Sequence, residues 1–433
     1  MSRYETYKES DFVGIGKVPE HWEVKRLKHL GEAIIGLTYS PNDVTENEEG
    51  ILVLRSSNIQ EGFISYEDCV YVDKEVNPNL ITRKGDILIC ARNGSAHLVG
   101  KNICIDEKSA GHTFGAFMVV FRGKFWRYLS YFFNSPIFTS QTGMFSTTTI
   151  NQLTSQTLNN LRIAYPSDSI EQENICNYLD DQTQKIDRLI ANKKAQAEKL
   201  KELRQIEINN AVTKGLNPNA EMKDSGIEWL GKIPKHWEVK RLKNVANYIQ
   251  TGITPPSGNS DYYDGEIPWY GPGGFNGETV LSNPAKYITK KAIDDNEAKL
   301  FPVDCVFMIG IGATIGKVGI IKEPSSCNQQ LNIINFKSFV NPDFGVYFLK
   351  IYESVIINIA NFSTLPIYNQ VQTGNLKFLL PPKKEQDEIF DYLQQRTTAI
   401  DQLIKNIEAQ IEKLQELRKI KIYEAVTGKI KVL

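Results

Sequence analysis

One long amphipathic stretch occurs twice in this chain, and it constrains the fold more than any other feature. Residues 171–213 begin EQENICNYLDDQTQKIDRLI, and residues 385–427 begin EQDEIFDYLQQRTTAIDQLI. In the first copy Ile175, Leu179, Ile186, Leu189, Leu200 and Leu203 recur at spacings of three and four, which puts them on one helix face. The second copy sets Ile389, Leu393, Ile400, Leu403, Ile407, Leu414 and Leu417 in the same register. Neither copy contains Pro or Gly, so nothing interrupts the helix. A helix of about 40 residues is roughly 60 Å long, too long for an ordinary core helix. Its simplest partner is its own repeat. We therefore expect a coiled coil, with Lys193 and Gln196 interrupting the first seam.

The repetition extends beyond the helices. VPEHWEVKRLKHL (18–30) returns as IPKHWEVKRLKNV (233–245), and Lys8-Glu9-Ser10 aligns with Lys223-Asp224-Ser225. A unit of about 215 residues thus runs lead-in, variable middle, long helix, and then repeats. Such a period is a domain duplication rather than a solenoid. The expected boundaries are 1–167 and 215–382 for two domains, with 168–214 and 383–433 for the helices. Within the lead-ins Trp22 and Val24 alternate as in a strand. Leu27 and Leu30, like Leu242, Val245, Ala246 and Ile249, then follow helical spacing. The basic residues Lys25, Arg26 and Lys28, and Lys240, Arg241 and Lys243, read first as solvent-facing charges of a structural module. Phosphate contact is the alternative.

The middles hold short apolar runs bounded by Gly, Asn and Pro. ILVLRSSNI, GDILICARNGS and FGAFMVVF in the first, and GEIPWYGPGGFNG, DCVFMIGIG and LNIINF in the second, read as strands joined by turns. FWRYLSYFFNSPIF and FGVYFLKIYESVIINIA read as aromatic-rich helices packed on a sheet. The two middles align only sparsely: Asp86 with Asp304, Gly94 with Gly312, Gly100-Lys101 with Gly316-Lys317, Asn160-Leu161 with Asn375-Leu376, and Pro166 with Pro381. Frame and helices match while the middles diverge. The fold class expected is therefore α+β: two similar mixed α/β domains, joined and spaced by two long antiparallel helices in a coiled-coil spine, with an internal pseudo-two-fold repeat.

Several chemistries are excluded. GIGATIGKVG (310–319) has three residues between Gly312 and Gly316 and a Val after Lys317, where a phosphate-cradling loop needs four and Ser or Thr. GPGGFNG (271–277) lacks the strand–helix frame of a dinucleotide fingerprint. No DPPY- or NPPY-like tetrapeptide of amino-methylating enzymes occurs, and no nucleophile–base arrangement suggests itself. The cysteines Cys69, Cys90, Cys104, Cys176, Cys305 and Cys327 form no regular framework and read as reduced thiols. The histidines lack zinc-ligand spacing, so no metal site is expected. No apolar run approaches the ~18 residues of a spanning helix, and the N-terminus has no secretory pattern; a cytoplasmic, non-enzymatic protein is expected. Net charge is −1, without the basic excess typical of a lone DNA-binding domain.

PPKKEQDEIFDYL (381–393), and its weaker first copy YPSDSIEQENICNYL (165–179), resemble the junction of recognition domain and conserved helix in specificity subunits of type I restriction-modification systems. SGIEWLGKIPKHWEVKRLK and DFVGIGKVPEHWEVKRLK are similar to the element that opens each recognition domain, and KGDILICARNGSAHLVGK to its mid-domain hairpin. The resemblance covers the whole chain in the order domain, helix, domain, helix. It implies a non-catalytic subunit that reads a bipartite double-stranded DNA target, one half-site per domain. It also implies binding to two adenine-methylating modification subunits and an ATP-driven restriction subunit. S-adenosylmethionine, ATP and Mg2+ would then belong to those partners, and none to this chain. Unlike middles on a common frame imply an asymmetric target, and local basic groups can face phosphate despite a neutral total.

Base readers should then lie on polar, Gly-flanked loops. In the first middle the candidates are Arg55, Ser56, Ser57, Asn58, Arg92 and Asn93, with Lys101 at the hairpin, since Arg and Asn suit bidentate base contacts. In the second they are Tyr270, Asn276, Lys317, Gln329 and Gln330. A turn-stabilising role is the alternative for each, and Trp126 and Phe132 read as core. The seam residues named above are the candidates for spacing and partner binding. The competing reading of the whole chain is a non-catalytic protein–protein scaffold with two binding domains.

Overall fold

Each domain contains a four-stranded antiparallel sheet, and these two sheets are strung in the same order. The computed structural model describes residues 2–10, 15–46, 49–60, 62–143, 152–360 and 366–432. It divides into one unit of Met1–Lys194 with Glu408–Leu433, and a second of Ala195–Ile407.

In the first unit the sheet runs Asn102–Cys104, Ile87–Cys90, Met118–Gly123, Gly31–Ile35. Ile87, Ile89, Val119 and Phe121 face one way, packed with Leu129, Phe132 and Phe133 of the helix Trp126–Phe133. Leu88, Cys90, Met118 and Val120 face the other, against Leu52, Leu54 and Phe114 of a smaller sheet. Strands covered on both faces need no polar side, which is why ILIC and MVVF are unbroken apolar runs. In the second unit the matching order is Val318–Ile320, Val306–Ile309, Leu331–Phe336, Ala246–Thr251. Val306, Met308, Ile334 and Phe336 meet Phe344 and Phe348 of the helix Pro342–Lys350. Phe307, Ile309, Leu331 and Ile333 meet Tyr270 and Phe301.

The structure corrects two local readings. The helix expected through Ile249 lasts one turn, Leu242–Val245, and its counterpart is the 3-10 turn Leu27–His29. Tyr248, Ile249 and Thr251 belong to an edge strand, because aromatic and β-branched residues facing a ready partner strand pair with it. Asp304 matches Gly85 rather than Asp86. Both have left-handed φ, +64° and +88°, in the turn that enters the central strand, a conformation Asp tolerates better than most residues. Asp86 is instead buried and receives Arg122 Nε and Nη2 at 2.8 and 2.7 Å.

The long helices are Ser169–Lys214 and Lys383–Val426, and they run antiparallel as a coiled coil. In the first unit Arg418 Nε meets Asp187 Oδ1 at 2.9 Å. In the second, Arg204 meets Asp401 and Arg396 meets Glu207, each at 2.9 Å.

The seam differs from expectation. Ile175, Leu179, Ile186, Ile389, Leu393 and Ile400 are buried on it, and Leu200, Ile407 and Leu414 half-buried. Leu189, Leu203, Leu403 and Leu417 are 49, 39, 50 and 40 % exposed. Each lies three residues beyond a seam position at which the seam steps four, so it turns outward. Thr183, Ala197 and Thr397 take buried seam places instead. Lys193 is half-buried on the seam, whereas Gln196 is exposed and does not interrupt it. Among the described residues, no helix is long and apolar enough to cross a membrane.

Candidate nucleic-acid interface

The repeated HW dipeptide fastens each domain to the helices. Trp22 Nε1 donates to Glu171 at 3.0 Å, His21 Nε2 lies 2.8 Å from the same carboxylate, and Tyr4 Oη donates to it at 2.6 Å. In the second unit Trp237 Nε1 and His236 Nε2 hold Glu385 at 3.0 and 2.8 Å. Glu171 and Glu385 stand in the first turns of the long helices, where a carboxylate also offsets the helix dipole. The other helix end closes on the same lead-in. Gly428, at φ +66°, packs so closely on Pro19 that a Cβ would stand 2.4 Å from it. Gly215, at φ +70°, lies against the second lead-in less tightly, with a Cβ there 3.2 Å from Trp237 and 2.9 Å from Glu385 Oε1.

The lead-in charges are engaged locally. Lys25 pairs with Glu23 and holds its carboxyl down at about 2, while Lys240 meets Glu238 at 2.6 Å. Arg26 donates to Asn160 at 3.2 Å. Lys25, Arg26, His29 and Arg162 nevertheless line one open concavity of about 530 Å³, so phosphate contact there stays compatible with the geometry.

In the first unit four segments meet at one end of the sheet's strands. Leu37 N–H donates to Phe114 O at 2.7 Å, Gly115 N–H to Leu54 O at 3.0 Å, and Ala91 and Arg92 N–H to Phe117 O at 2.9 and 3.0 Å. Gly36 permits this approach, since a Cβ there would stand 2.2 Å from Gly115 O. Ser56 and Asn93 are brought together at 3.3 Å. Arg92 is exposed, with its guanidinium 5.3 Å from the ring centre of Phe117. Arg55 turns onto Asp68, meeting its carboxylate at 2.8 Å and its carbonyl at 3.0 Å. Asn58 is buried, accepting from Arg55 N and donating to Ser65 O and Asp68 O; its geometry is that of a loop-former. Ser57 is exposed, and Lys101 is half-buried at the hairpin.

The second unit gathers Tyr270, Gln329 and Gln330. Asn328 N–H donates to Tyr270 O at 3.0 Å, and Gly310 N–H to Gln330 O at 2.8 Å. Tyr270 is 1 % exposed and its hydroxyl donates to Leu281 O at 3.1 Å, so its ring and its donor are both spent internally. Gln329 accepts from Thr254 at 2.6 Å, and Gln330 from Asn328 at 2.8 Å. Asn276 is exposed in the Gly-rich loop, its Oδ1 accepting from Glu278 N, and Lys317 is half-buried beside Gly316. That loop is pinned by Lys350, which donates to Thr279 Oγ1 at 2.9 Å and Gly277 O at 3.3 Å. Burial pushes the Lys350 ammonium down to about 8.

Sequence reasoning passed over Phe117, which is 60 % exposed. It sits in FGAFMVVF, where a continuous apolar run gave no sign that one ring precedes the strand and points outward. Lys350 was likewise hidden inside an apolar helix. Among the described residues, no group of three or more His, Cys, Asp or Glu side chains could hold a metal ion.

Residues 19–199 and 234–413 match the family described as Type I restriction modification DNA specificity domain. The putative type I restriction enzyme MjaX specificity subunit of Methanocaldococcus jannaschii is 27 % identical over 98 % of this chain and 98 % of its own. The type I restriction enzyme EcoKI specificity subunit of Escherichia coli is 22 % identical over 96 % of this chain and 90 % of its own. A chain solved in work on complex assembly and conformational transition of the type I R-M system superposes with a TM-score of 0.72. It is 17 % identical and covers 95 % of this chain and 99 % of its own, which shows a shared fold. With both repeats matched across their frame, middle and helix, the chain belongs to the type I restriction-modification DNA specificity family, whose members are non-catalytic specificity subunits.

Proposed function

We propose that this chain reads a bipartite, asymmetric duplex DNA target, with residues 1–167 and 215–382 each taking one half-site, and that the paired helices set the gap. The carrying observation is one topology with two different loop sets: identical strand order and anchoring, but Arg92 and Phe117 where the other unit has Ile311 and Gln330. Two copies of one reader give a palindrome; two unlike readers on one chain give two unlike half-sites. The exposed outer leucines of the helices, Leu189, Leu203, Leu403 and Leu417, offer a seat for two adenine-methylating modification subunits. An ATP-driven restriction subunit would join that assembly. S-adenosylmethionine, ATP and Mg2+ act on those partners, and the complex works in the cytoplasm, where it reaches chromosomal DNA.

The test follows from the seven-residue cadence of the seam. Matched insertions of one heptad, at 193–197 in the first helix and 407–411 in the second, preserve the seam. They lengthen the helix pair by about 10 Å, roughly three base pairs of duplex. Mapping of methylated adenines in cells expressing the complex should show both half-sites unchanged and the gap longer. An unchanged gap would remove the helices as the ruler. A wild-type complex without a bipartite motif would overturn the function itself.

A further inference from the structure

Three backbone features superimpose the two loop clusters residue by residue. Gly115 N–H to Leu54 O in the first unit corresponds to Asn328 N–H to Tyr270 O in the second. Ala91 N–H to Phe117 O corresponds to Gly310 N–H to Gln330 O. The isolated bridge Arg92–Gln152 corresponds to Ile311–Ile367. Even the close approach beneath is shared: a Cβ on Gly36 would stand 2.4 Å from Phe114 O, and one on Gly252 2.0 Å from Cys327 O. The main chain is therefore the same scaffold in both units. The side chains it presents are not. Arg92 and Phe117 in one unit stand where Ile311 and Gln330 stand in the other.

From this correspondence we infer that Arg92 with Phe117, and Ile311 with Gln330, are equivalent specificity-determining pairs, each reading the same relative position of its half-site. The inference rests on the DNA-reading function proposed above and assigns its chemistry. Arg92 is exposed and steadied over the Phe117 ring at 5.3 Å, which leaves a planar fork suited to guanine O6 and N7. Phe117, 60 % exposed, offers an apolar face to a thymine methyl. In the second unit the polar and apolar places are exchanged. Gln330, held through its carbonyl by Asn328 at 2.8 Å, keeps an amide donor and a second lone pair, the pattern for adenine N6 and N7. Ile311 supplies the methyl contact. The first half-site should thus carry a guanine, and the second an adenine, at the base these pairs address. Neither pair belongs to a core: Arg92 is exposed and Ile311 and Gln330 are part-exposed, so replacing them leaves the sheets intact.

The test is made on the full chain assembled with its modification subunits. The wild-type methylated motif is mapped first. Binding is then measured to a panel of duplexes, each with one motif base pair substituted, for wild type, Arg92→Ile, Phe117→Gln and the double variant R92I/F117Q. A wild-type complex that shows no base preference defeats the DNA-reading function, not merely this assignment. Given a wild-type motif, we expect the penalty for substitution at one or two positions of a single half-site to fall roughly tenfold or more, with adenine newly tolerated for guanine there. The other half-site and the gap should be unchanged. The converse variant I311R/Q330F should alter the other half-site alone. An unchanged penalty profile in all variants overturns the assignment. So does an even loss of affinity across the whole panel, which is the behaviour of phosphate contacts.

Discussion

Trp237 donates its indole N–H to Glu385 across 3.0 Å, although 148 residues separate them in sequence. Trp22 and Glu171 repeat the bond at 3.0 Å in the first unit. Trp237 is fully buried, so Glu385→Ala leaves its donor without an acceptor. That should destabilise the protein by about 1–3 kcal/mol, read from urea denaturation. Glu385→Gln keeps an acceptor and should cost clearly less. Equal losses would mean that the charge at the helix start, shared with His236, matters more than the indole bond.

The seam makes a sharp contrast between two aliphatic neighbours. Ile400 is 4 % exposed and Leu403 is 50 % exposed. Ile400→Ala should therefore cost about 2–4 kcal/mol, and Leu403→Ala no more than about 0.5 kcal/mol. Comparable shifts in thermal midpoint for the two variants would return Leu403 to the seam.

Lys350 predicts a pH signature. Burial lowers its folded pKa to about 8 from the ordinary 10.5. Between those values the unfolded chain binds the proton and the folded chain does not, so this group makes stability rise with pH across that window. Below it the charged form is held at a cost. Lys350→Met should flatten the wild-type trend between pH 8 and 10, measured as the difference between the two denaturation curves. Parallel curves would show that the ammonium is better solvated than its surroundings imply.

Ile422, Ala425 and Val426 complete the core around Trp22 and Tyr128, and residues 408–433 alone bring them there. A fragment of residues 1–214 lacks them, but carries Ile208, Ala211 and Val212, which fill the same places around Trp237. Such a fragment should therefore self-associate, two copies lending each other these residues. Sedimentation should show a dimer, and a well-folded monomer would contradict the shared packing.

The parts legible in the sequence were those with short-range cause. Unbroken helix-forming runs gave the long helices, and the doubled HWEVKRLK gave the frame. What escaped depended on distance. Nothing local to Trp22 announces Glu171, and nothing local to Arg92 announces the Phe117 ring. The seam was misplaced by four leucines because hydrophobicity alone cannot separate a step of three from one of four, while Thr183 and Ala197 carry too little apolar signal to claim their buried places. Asn58 and Tyr270 had the residue types of base readers and are held in loop-forming bonds instead.

Leu27 N–H donates to Leu161 O at 2.9 Å, and Leu242 N–H to Leu376 O at 2.8 Å. The stretches that diverge most between the two units lie between the members of these pairs, so the chain leaves its frame and re-enters it through a single doorway. A segment whose ends are already joined by one hydrogen bond can be traded for a foreign one of another length without stretching the host. The molecule is thus built like a holder with two cartridges, each of which can be exchanged while its mounting stays as it is.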